Sequence, residues 1–297
     1  MRRRPFTVRP RIGYAIPMKT STFRLHAAVA LGLGLGLGVG APGSAMAQSS
    51  TDYSDPIATD RPDFVESSAV VGKGRLQIET SGAFERGRHD GVVERSVTTP
   101  TLLRFGLAET LELRVETDGA SHNWTRGADQ RDASGMADAS LGVKWHLRDG
   151  DAGKGGEGSK PALGMLFHVD LPSGARRLGS AGVRPSLRGV AEWELPNDLS
   201  LGVMPGLASE RNDDGQRFTS GIFGIVLGKD WNQRLHSYIE LAAPRIAHAR
   251  DGGSQVAVGF GSAWLLSPNA QVDAGILGGL NRFTPNLSVT VGLSVRI

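Results

Sequence analysis

The chain has 297 residues, a formal net charge of +3 and no cysteine, so disulfide bonds and thiolate chemistry are excluded. The first 47 residues hold seven basic and no acidic residues, which leaves the remainder with a charge of −4 (3 − 7) and gives no support to nucleic-acid binding. No long apolar run follows them, which excludes a helical membrane protein but not a β-barrel, whose strands are apolar only at alternate residues.

Residues 1–47 are expected to be a secretory signal peptide that is cleaved after Ala47. Lys19 and Arg24 precede an apolar run over residues 27–39, and Ala45-Met-Ala47 is a small-x-small cleavage site. The apolar run is too short and too rich in glycine for a good membrane-spanning helix. Translation from Met1 or from Met18 would retain this export signal.

Residues 48–73 are polar and show no periodicity, so they are expected to be an N-terminal segment that is not part of the barrel wall. Asp60, Arg61, Asp63 and Phe64 have two interpretations. They could form a plug, with the charges meeting charges of the lumen and Phe64 sealing against an apolar solute. Alternatively, the segment is only a periplasmic extension. The small lumen of a twelve-stranded barrel favours the plug.

From residue 74 to residue 297, alternating segments recur with turn residues between them. Residues 111–116 are the clearest case, because Leu and Val alternate with Glu112, Arg114 and Glu116. A barrel can enclose such a charged face in water. Twelve segments of this kind predict an all-β fold, a single antiparallel transmembrane β-barrel of about twelve strands.

Short turns between strands 2/3, 6/7, 8/9 and 10/11 are expected on the periplasmic side, together with the C-terminus. The stretches between strands 1 and 2 (residues 85–101) and between strands 3 and 4 (residues 117–136, with Trp124) are expected to be external loops. Residues 149–160 break the rule, being long yet on the periplasmic side. The remaining tryptophans are expected at one level, as an interfacial girdle. They are Trp145, Trp193, Trp231 and Trp264.

The last residues form a strand with one apolar face, from Leu287 to Ile297. Its Thr290, Gly292, Val295 and Ile297 resemble the C-terminal insertion signal of bacterial outer-membrane barrels, although those chains usually end in an aromatic residue. The strand is therefore expected to engage the barrel-assembly machinery and to pair with the first strand, which removes the last open edge.

Several short motifs occur in an order that resembles a known family. They are Thr59-Asp-Arg-Pro-Asp-Phe64, Gly74-Arg-Leu-Gln-Ile-Glu79, Thr101-Leu-Leu-Arg-Phe-Gly-Leu107, Leu111-Glu-Leu-Arg114, Leu171-Pro-Ser-Gly174, Ile239-Glu-Leu241 and Pro268-Asn-Ala-Gln-Val-Asp273. The family is the outer-membrane transporter family labelled "MetA-pathway of phenol degradation", and the resemblance covers most of residues 58–297. It implies an outer-membrane barrel associated with uptake of aromatic or other small compounds, and it supplies no catalytic residue.

Polar residues on the inward face of the predicted strands are candidates for lining the lumen. They are Arg104, Glu112, Arg114, Glu116, Asp138, Lys144, His146, His168, Asp170, Arg184, Arg188, Glu192, His236, Tyr238, Glu240 and Asp273. The alternating arginines and glutamates predict a network of ion pairs. The three histidines among them suggest a metal site or the active site of a hydrolase, but no HxxxH, HExxH or GxSxG spacing occurs.

The sequence thus predicts a passive channel or transporter for small solutes in the outer membrane of a Gram-negative bacterium. Its expected partners are membrane lipid, the barrel-assembly machinery and a small-molecule solute. No cofactor, metal or catalytic residue is predicted. A structural barrel with a closed lumen, an outer-membrane enzyme and a soluble β-protein remain as alternatives.

Overall fold

The computed structural model of the chain describes residues 56–89, 91–127, 130–151, 159–175, 178–180, 182–212 and 214–297. The predicted signal peptide and residues 48–55 lie outside the described residues. Within the described ranges, no helix has the length and hydropathy needed to cross a membrane.

Twelve antiparallel strands form the wall in the described part of the chain, and three of them are each interrupted once. In chain order they are β1 (Leu76–His89), β2 (Val92–Thr98 and Thr101–Ala108), β3 (Leu111–Thr117 and Ala120–Arg126), β4 (Arg131–Met136 and Ala139–Arg148), β5 (Ala162–Leu171), β6 (Arg184–Leu195), β7 (Leu199–Arg211), β8 (Arg217–Asp230), β9 (Leu235–Ile246), β10 (Gln255–Ser267), β11 (Ala270–Gly279) and β12 (Leu287–Arg296). A short 3-10 helix, Ala249–Asp251, lies between β9 and β10.

The sheet closes on itself because β12 pairs with β1. The register runs from Gln77 opposite Arg296 to Arg86 opposite Leu287. Each of the other strands pairs with its neighbours in the chain. Closure satisfies the backbone groups that an edge strand would leave open, which a membrane barrel requires. The predicted antiparallel barrel of twelve strands is confirmed.

The wall is apolar outside and polar inside. In β2 the Phe105 side chain is 44% exposed, whereas Arg104 beside it is fully buried. In β3 the exposures of Leu113 and Arg114 are 40% and 1%. A soluble barrel would bury its apolar face, so this inverted pattern is that of a transmembrane barrel.

Beyond the interruptions, the outer parts of the first four strands continue the sheet. We call this part the outer extension: residues 83–89 of β1 with Val92–Thr98, Ala120–Arg126 and Arg131–Met136. Most of residues 85–101 and 117–136, expected to be external loops, are therefore strands, and Trp124 lies in one of them. The loop prediction was wrong because backbone pairing in register continues there without an apolar face that a sequence pattern could reveal.

Among the turns whose residues are all described, the shortest lie at the end of the barrel opposite the outer extension. Residues 109–110 join β2 to β3, and residues 268–269 join β10 to β11. In the turn between β6 and β7, Asn197 and Asp198 have φ values of 63° and 54°, a conformation that asparagine and aspartate tolerate well. Short turns mark the periplasmic end of bacterial barrels, so the outer extension is on the external side.

Removing residues 292–297 should prevent assembly of the barrel in the membrane. The deletion takes away the end of β12 that pairs with residues 77–81 of β1, and the sheet can no longer close. Heat-modifiable mobility on gels and protection from protease would measure closure. A truncated chain that still forms a heat-modifiable barrel in membranes would contradict this account.

Candidate functional site

Residues 56–73 run through the interior of the barrel without regular secondary structure, and we call them the luminal segment. The Ile57 N–H donates to the Pro268 carbonyl at 2.8 Å, beside the turn between β10 and β11. Further along, the segment contacts inward-facing residues on all sides of the wall. It therefore crosses the lumen and does not hang below it.

Wall carboxylates hold the backbone of the luminal segment. A stretch of chain outside any sheet must find partners for its buried N–H groups. Four of them donate to glutamates on four different strands. The pairs are Asp60 to Glu79 (3.0 Å), Phe64 to Glu240 (2.8 Å), Ser68 to Glu192 (2.6 Å) and Val71 to Glu112 (2.9 Å).

The Asp60 side chain lies at the centre of a buried cationic cluster. Its carboxylate is 2.5 Å from Arg114 Nη1, 2.6 Å from Lys144 Nζ and 3.3 Å from Arg104 Nη1. Burial alone raises the pKa of Asp60, but the charges of Arg104, Lys144 and Arg114 together hold that pKa well below its usual range. The carboxyl group is therefore ionised while the segment is docked.

Glu66 makes the second ionic contact between the segment and the wall. Its carboxylate is 2.7 Å from Arg114 Nη2 and 2.5 Å from Arg188 Nη1. Burial raises the pKa of Glu66, but Arg114 and Arg188 lower it to about 2. Arg114 thus binds both acidic residues of the segment at once.

The charges of this cluster balance only when the luminal segment is present. The wall contributes four cations, Arg104, Arg114, Lys144 and Arg188. It contributes two carboxylates, Glu79 and Glu112, at 3.0 Å and 2.9 Å from Arg104. Among the groups joined by ion pairs of 4 Å or less, the wall part therefore carries a charge of +2 (4 − 2), and the Asp60 and Glu66 carboxylates neutralise it. Buried charges are tolerated only when they are paired in this way.

Beside the charged cluster the segment makes an apolar contact, since Leu166 lies opposite Lys144 and Arg188 in the register of the sheet. Val65 packs against Leu166, Val190 and Met204, with Phe64 alongside. The wall glycines leave the room for it. A Cβ atom at Gly224 would lie 2.7 Å from Val65 Cγ2, closer than real side chains approach. The wall is therefore shaped to the segment on both its charged and its apolar sides.

The luminal segment divides the interior into separate cavities. One, of about 240 Å³, is lined by Pro100, Thr101 and Glu116 and lies toward the outer extension. Another, also of about 240 Å³, is lined by Ser200, His236 and Gln271 and lies toward the short turns. Residues 61–63 line both cavities, so the segment is the partition between them.

Arg61 joins the segment to β11 and β12. Its Nη2 donates to Thr290 Oγ1 at 2.7 Å and lies 3.6 Å from an oxygen of Asp273. Gly292 leaves room for this contact, since a Cβ there would lie 2.7 Å from Asp273. Thr290 and Gly292 of the predicted insertion signal thus face the lumen. Recognition by the barrel-assembly machinery stays a prediction.

The three inward histidines have different surroundings. His146 Nδ1 is 3.0 Å from the Ser68 carbonyl, His236 Nδ1 is 2.7 Å from Asp230, and His168 Nδ1 is 3.6 Å from Glu116. Across the described ranges, no group of three or more His, Cys, Asp or Glu residues is placed to hold a metal ion.

The other predicted lumen residues lie at two levels. Toward the outer extension, Arg184 is 3.3 Å from Asp170, while Asp138 accepts hydrogen bonds from the N–H groups of Gly174 and Ser180. Beside residues 61–63, Tyr238 is buried in the wall of β9, with no hydrogen-bond partner for its hydroxyl among the described residues. Their part in solute passage stays a prediction.

Three residues of the cluster and its surroundings were not among the sequence candidates: Glu66, Gln77 and Glu79. The two in β1 could have been found, because they alternate with Leu76 and Ile78 on the opposite face. Glu66 could not, since the segment around it has no periodicity.

Comparisons with known proteins agree with this architecture. The family model labelled "MetA-pathway of phenol degradation" matches residues 59–297. Among curated proteins, no sequence matches at a significant level.

One solved structure is similar in fold, and a second gives a lower score. An outer membrane channel from Pseudomonas putida F1 superimposes with a TM-score of 0.55 at 12% identity, covering 80% of this chain and 99% of that chain. The KdgM porin gives a TM-score of 0.45 at 11% identity, covering 74% of this chain and 98% of that chain. The predicted family and location are confirmed: the chain belongs to the family labelled "MetA-pathway of phenol degradation", and it is a β-barrel of the Gram-negative outer membrane.

Proposed function

We propose that this protein is an outer-membrane channel for passive passage of small solutes, and that the luminal segment is the plug that closes it. The observation that carries this proposal is the charge balance of the interior. The wall carries +2 within the cluster, and the segment brings the two carboxylates that neutralise it. If the wall bound no segment, its cations would need carboxylates of the wall as partners, because an unpaired buried charge is unfavourable.

The docked plug leaves a cavity on each of its two sides. This supports a channel that the plug blocks at one level without filling the whole lumen. The two cavities of about 240 Å³ are too small for a typical drug-sized ligand and suit a small molecule. Displacing residues 61–63 would join them. The path would then run from the external side, past the cluster, to the periplasmic end.

Release of the plug would expose wall residues that favour solutes with an apolar body and an anionic or polar group. Release of Val65 would expose the apolar wall formed by Leu166, Val190 and Met204. Release of Asp60 would expose Lys144 and its neighbouring arginines. Small aromatic compounds that carry a hydroxyl or carboxylate group combine these two properties, which agrees with the label of the family.

A structural barrel whose lumen stays closed is the second candidate. The complete burial of Arg104 and Lys144 favours it, because docking so tight resists release. An enzyme is not proposed, since the inward histidines lie beside unrelated partners and form no catalytic arrangement.

Replacing both plug carboxylates, in the variant D60N/E66Q, should open the channel. The change leaves wall cations buried without partners, which weakens docking by about 3–5 kcal/mol for each broken pair. We expect a several-fold rise in single-channel conductance in planar bilayers, and a similar rise when residues 56–71 are deleted. The matched control is D198N/D214N, which removes two exposed carboxylates in turns away from the luminal segment and should leave conductance unchanged.

The two plug variants separate the candidate functions. If both form heat-modifiable barrels yet conduct no better than the original protein, the channel proposal fails and the closed structural barrel stands. If deletion opens the barrel but D60N/E66Q does not, the lumen conducts while the ionic contacts are not what holds the plug.

Asp60 and Glu66 should not set the pH dependence of conductance. The pKa values of Asp60 and Glu66 are lowered, so their contribution to docking is present above the ordinary carboxyl pKa. For Glu66 it is lost only as pH falls through about 2. Between pH 7 and pH 4, acid should therefore not open the channel.

The pKa of Asp63 is shifted in the opposite direction. Burial raises its pKa well above the usual value, and the charges of Glu240, Asp60 and Glu192 raise it further. Its contribution to docking is present at low pH and is lost as pH rises through this raised pKa. We expect conductance to increase with rising pH in the original protein and not in D63N. An equal pH response in both proteins would show that Asp63 does not cause the pH dependence.

A further inference from the structure

The outward face of the outer extension carries a cluster of exposed arginines. Outward residues of β1 alternate along the strand and end with Phe84, Arg86 and Arg88. In the paired strand, Arg95 lies directly opposite Arg86 in the register. All three arginines are exposed, and their side chains share one patch of the sheet.

This arrangement is unfavourable unless an anion binds there. Two like charges directly opposite each other on neighbouring strands repel. Within the described residues, Arg86, Arg88 and Arg95 make no ion pair or side-chain hydrogen bond. Nearby Arg126, by contrast, pairs with Asp132 at 2.9 Å. The patch therefore presents three positive charges that no described residue neutralises.

The patch lies at the level where the outer leaflet has its headgroups. A transmembrane β-strand needs about 9–11 residues to cross the hydrocarbon core. Residues 76–84 of β1 have that length, and Arg86 is the next outward residue. In β2, Val97 is the last exposed apolar residue before Arg95, at 42% exposure. Both arginines therefore follow directly after the apolar belt on the external side.

Apolar and aromatic side chains border the patch on the membrane side. Val97 pairs with Phe84 on one strand and with His122 on the next. Trp124 lies opposite Arg95, and its ring centroid is 5.0 Å from that of His122, with the two ring planes tilted by 37°. Tryptophan favours the boundary between hydrocarbon and headgroups.

We propose that Arg86, Arg88 and Arg95 bind the phosphate groups of a phosphorylated glycolipid in the outer leaflet. Guanidinium groups bind phosphate oxygens with paired, charge-assisted hydrogen bonds. Phe84, Val97 and Trp124 contact the acyl-chain side of the same lipid. The site would hold the barrel at a fixed depth through an ordered lipid at the outer extension.

The test is binding of diphosphorylated lipid A to the full mature protein in detergent micelles, followed by native mass spectrometry. The variant R86Q/R88Q/R95Q should weaken binding at least about tenfold, because each arginine near an anionic surface contributes a several-fold factor. The matched control R148Q/R234Q/R250Q removes three arginines outside the patch and should bind as the original protein does. Heat-modifiable mobility shows that both variants fold.

Four results would overturn the proposal. Equal binding of lipid A by the patch variant and the original protein would show that the three arginines do not bind the lipid. Equal loss in the control variant would show only an effect of net charge. Dephosphorylated lipid A binding as tightly as the diphosphorylated form, or pyrophosphate alone competing as well as lipid A does, would show that the patch does not recognise a phosphorylated lipid.

Discussion

The interior of this barrel depends on the pairing of four cations, three of them buried, with four carboxylates, of which the wall supplies only two. Asp60 and Glu66 of the luminal segment supply the others. A buried charge without a partner costs several kcal/mol, so the wall must either hold this segment or admit water around its cations. The docked and the water-filled lumen are thus two alternative solutions to one electrostatic constraint.

The shape of the wall follows the same constraint. A Cβ atom at Gly106 would lie 1.6 Å from the Gly72 carbonyl oxygen, so the segment can pass β2 only because that residue is glycine. Gly224 makes room for Val65 on the other side in the same way. The apolar contact adjoins the charged one, since Leu166 lies opposite Lys144 and Arg188 in the register of the sheet. Together the two contacts fix the position of the segment in the lumen.

The outer extension shows a different use of the same sheet. Within the membrane, the outward face is apolar because lipid surrounds it. Beyond residue 84 the strands of the extension continue, but outward residues such as Arg86 and Arg95 become charged. This change of chemistry on one continuous ladder marks the boundary of the membrane. It also explains why sequence patterns predicted loops there, since the signal used to find strands is the apolar alternation and not the backbone pairing.

The sequence by itself determined the barrel, its twelve strands and the inward direction of residues such as Arg104 and Arg114, because a period of two residues fixes which side chain faces which side of a sheet. Only the tertiary structure decided that Asp60 meets Arg104, Arg114 and Lys144. Those residues lie on different strands, and their distance apart depends on the register and closure of the whole barrel. The path of the luminal segment was likewise decided by closure. The segment has no periodicity that would indicate which of its residues face the wall, so its position depends on the closed barrel around it.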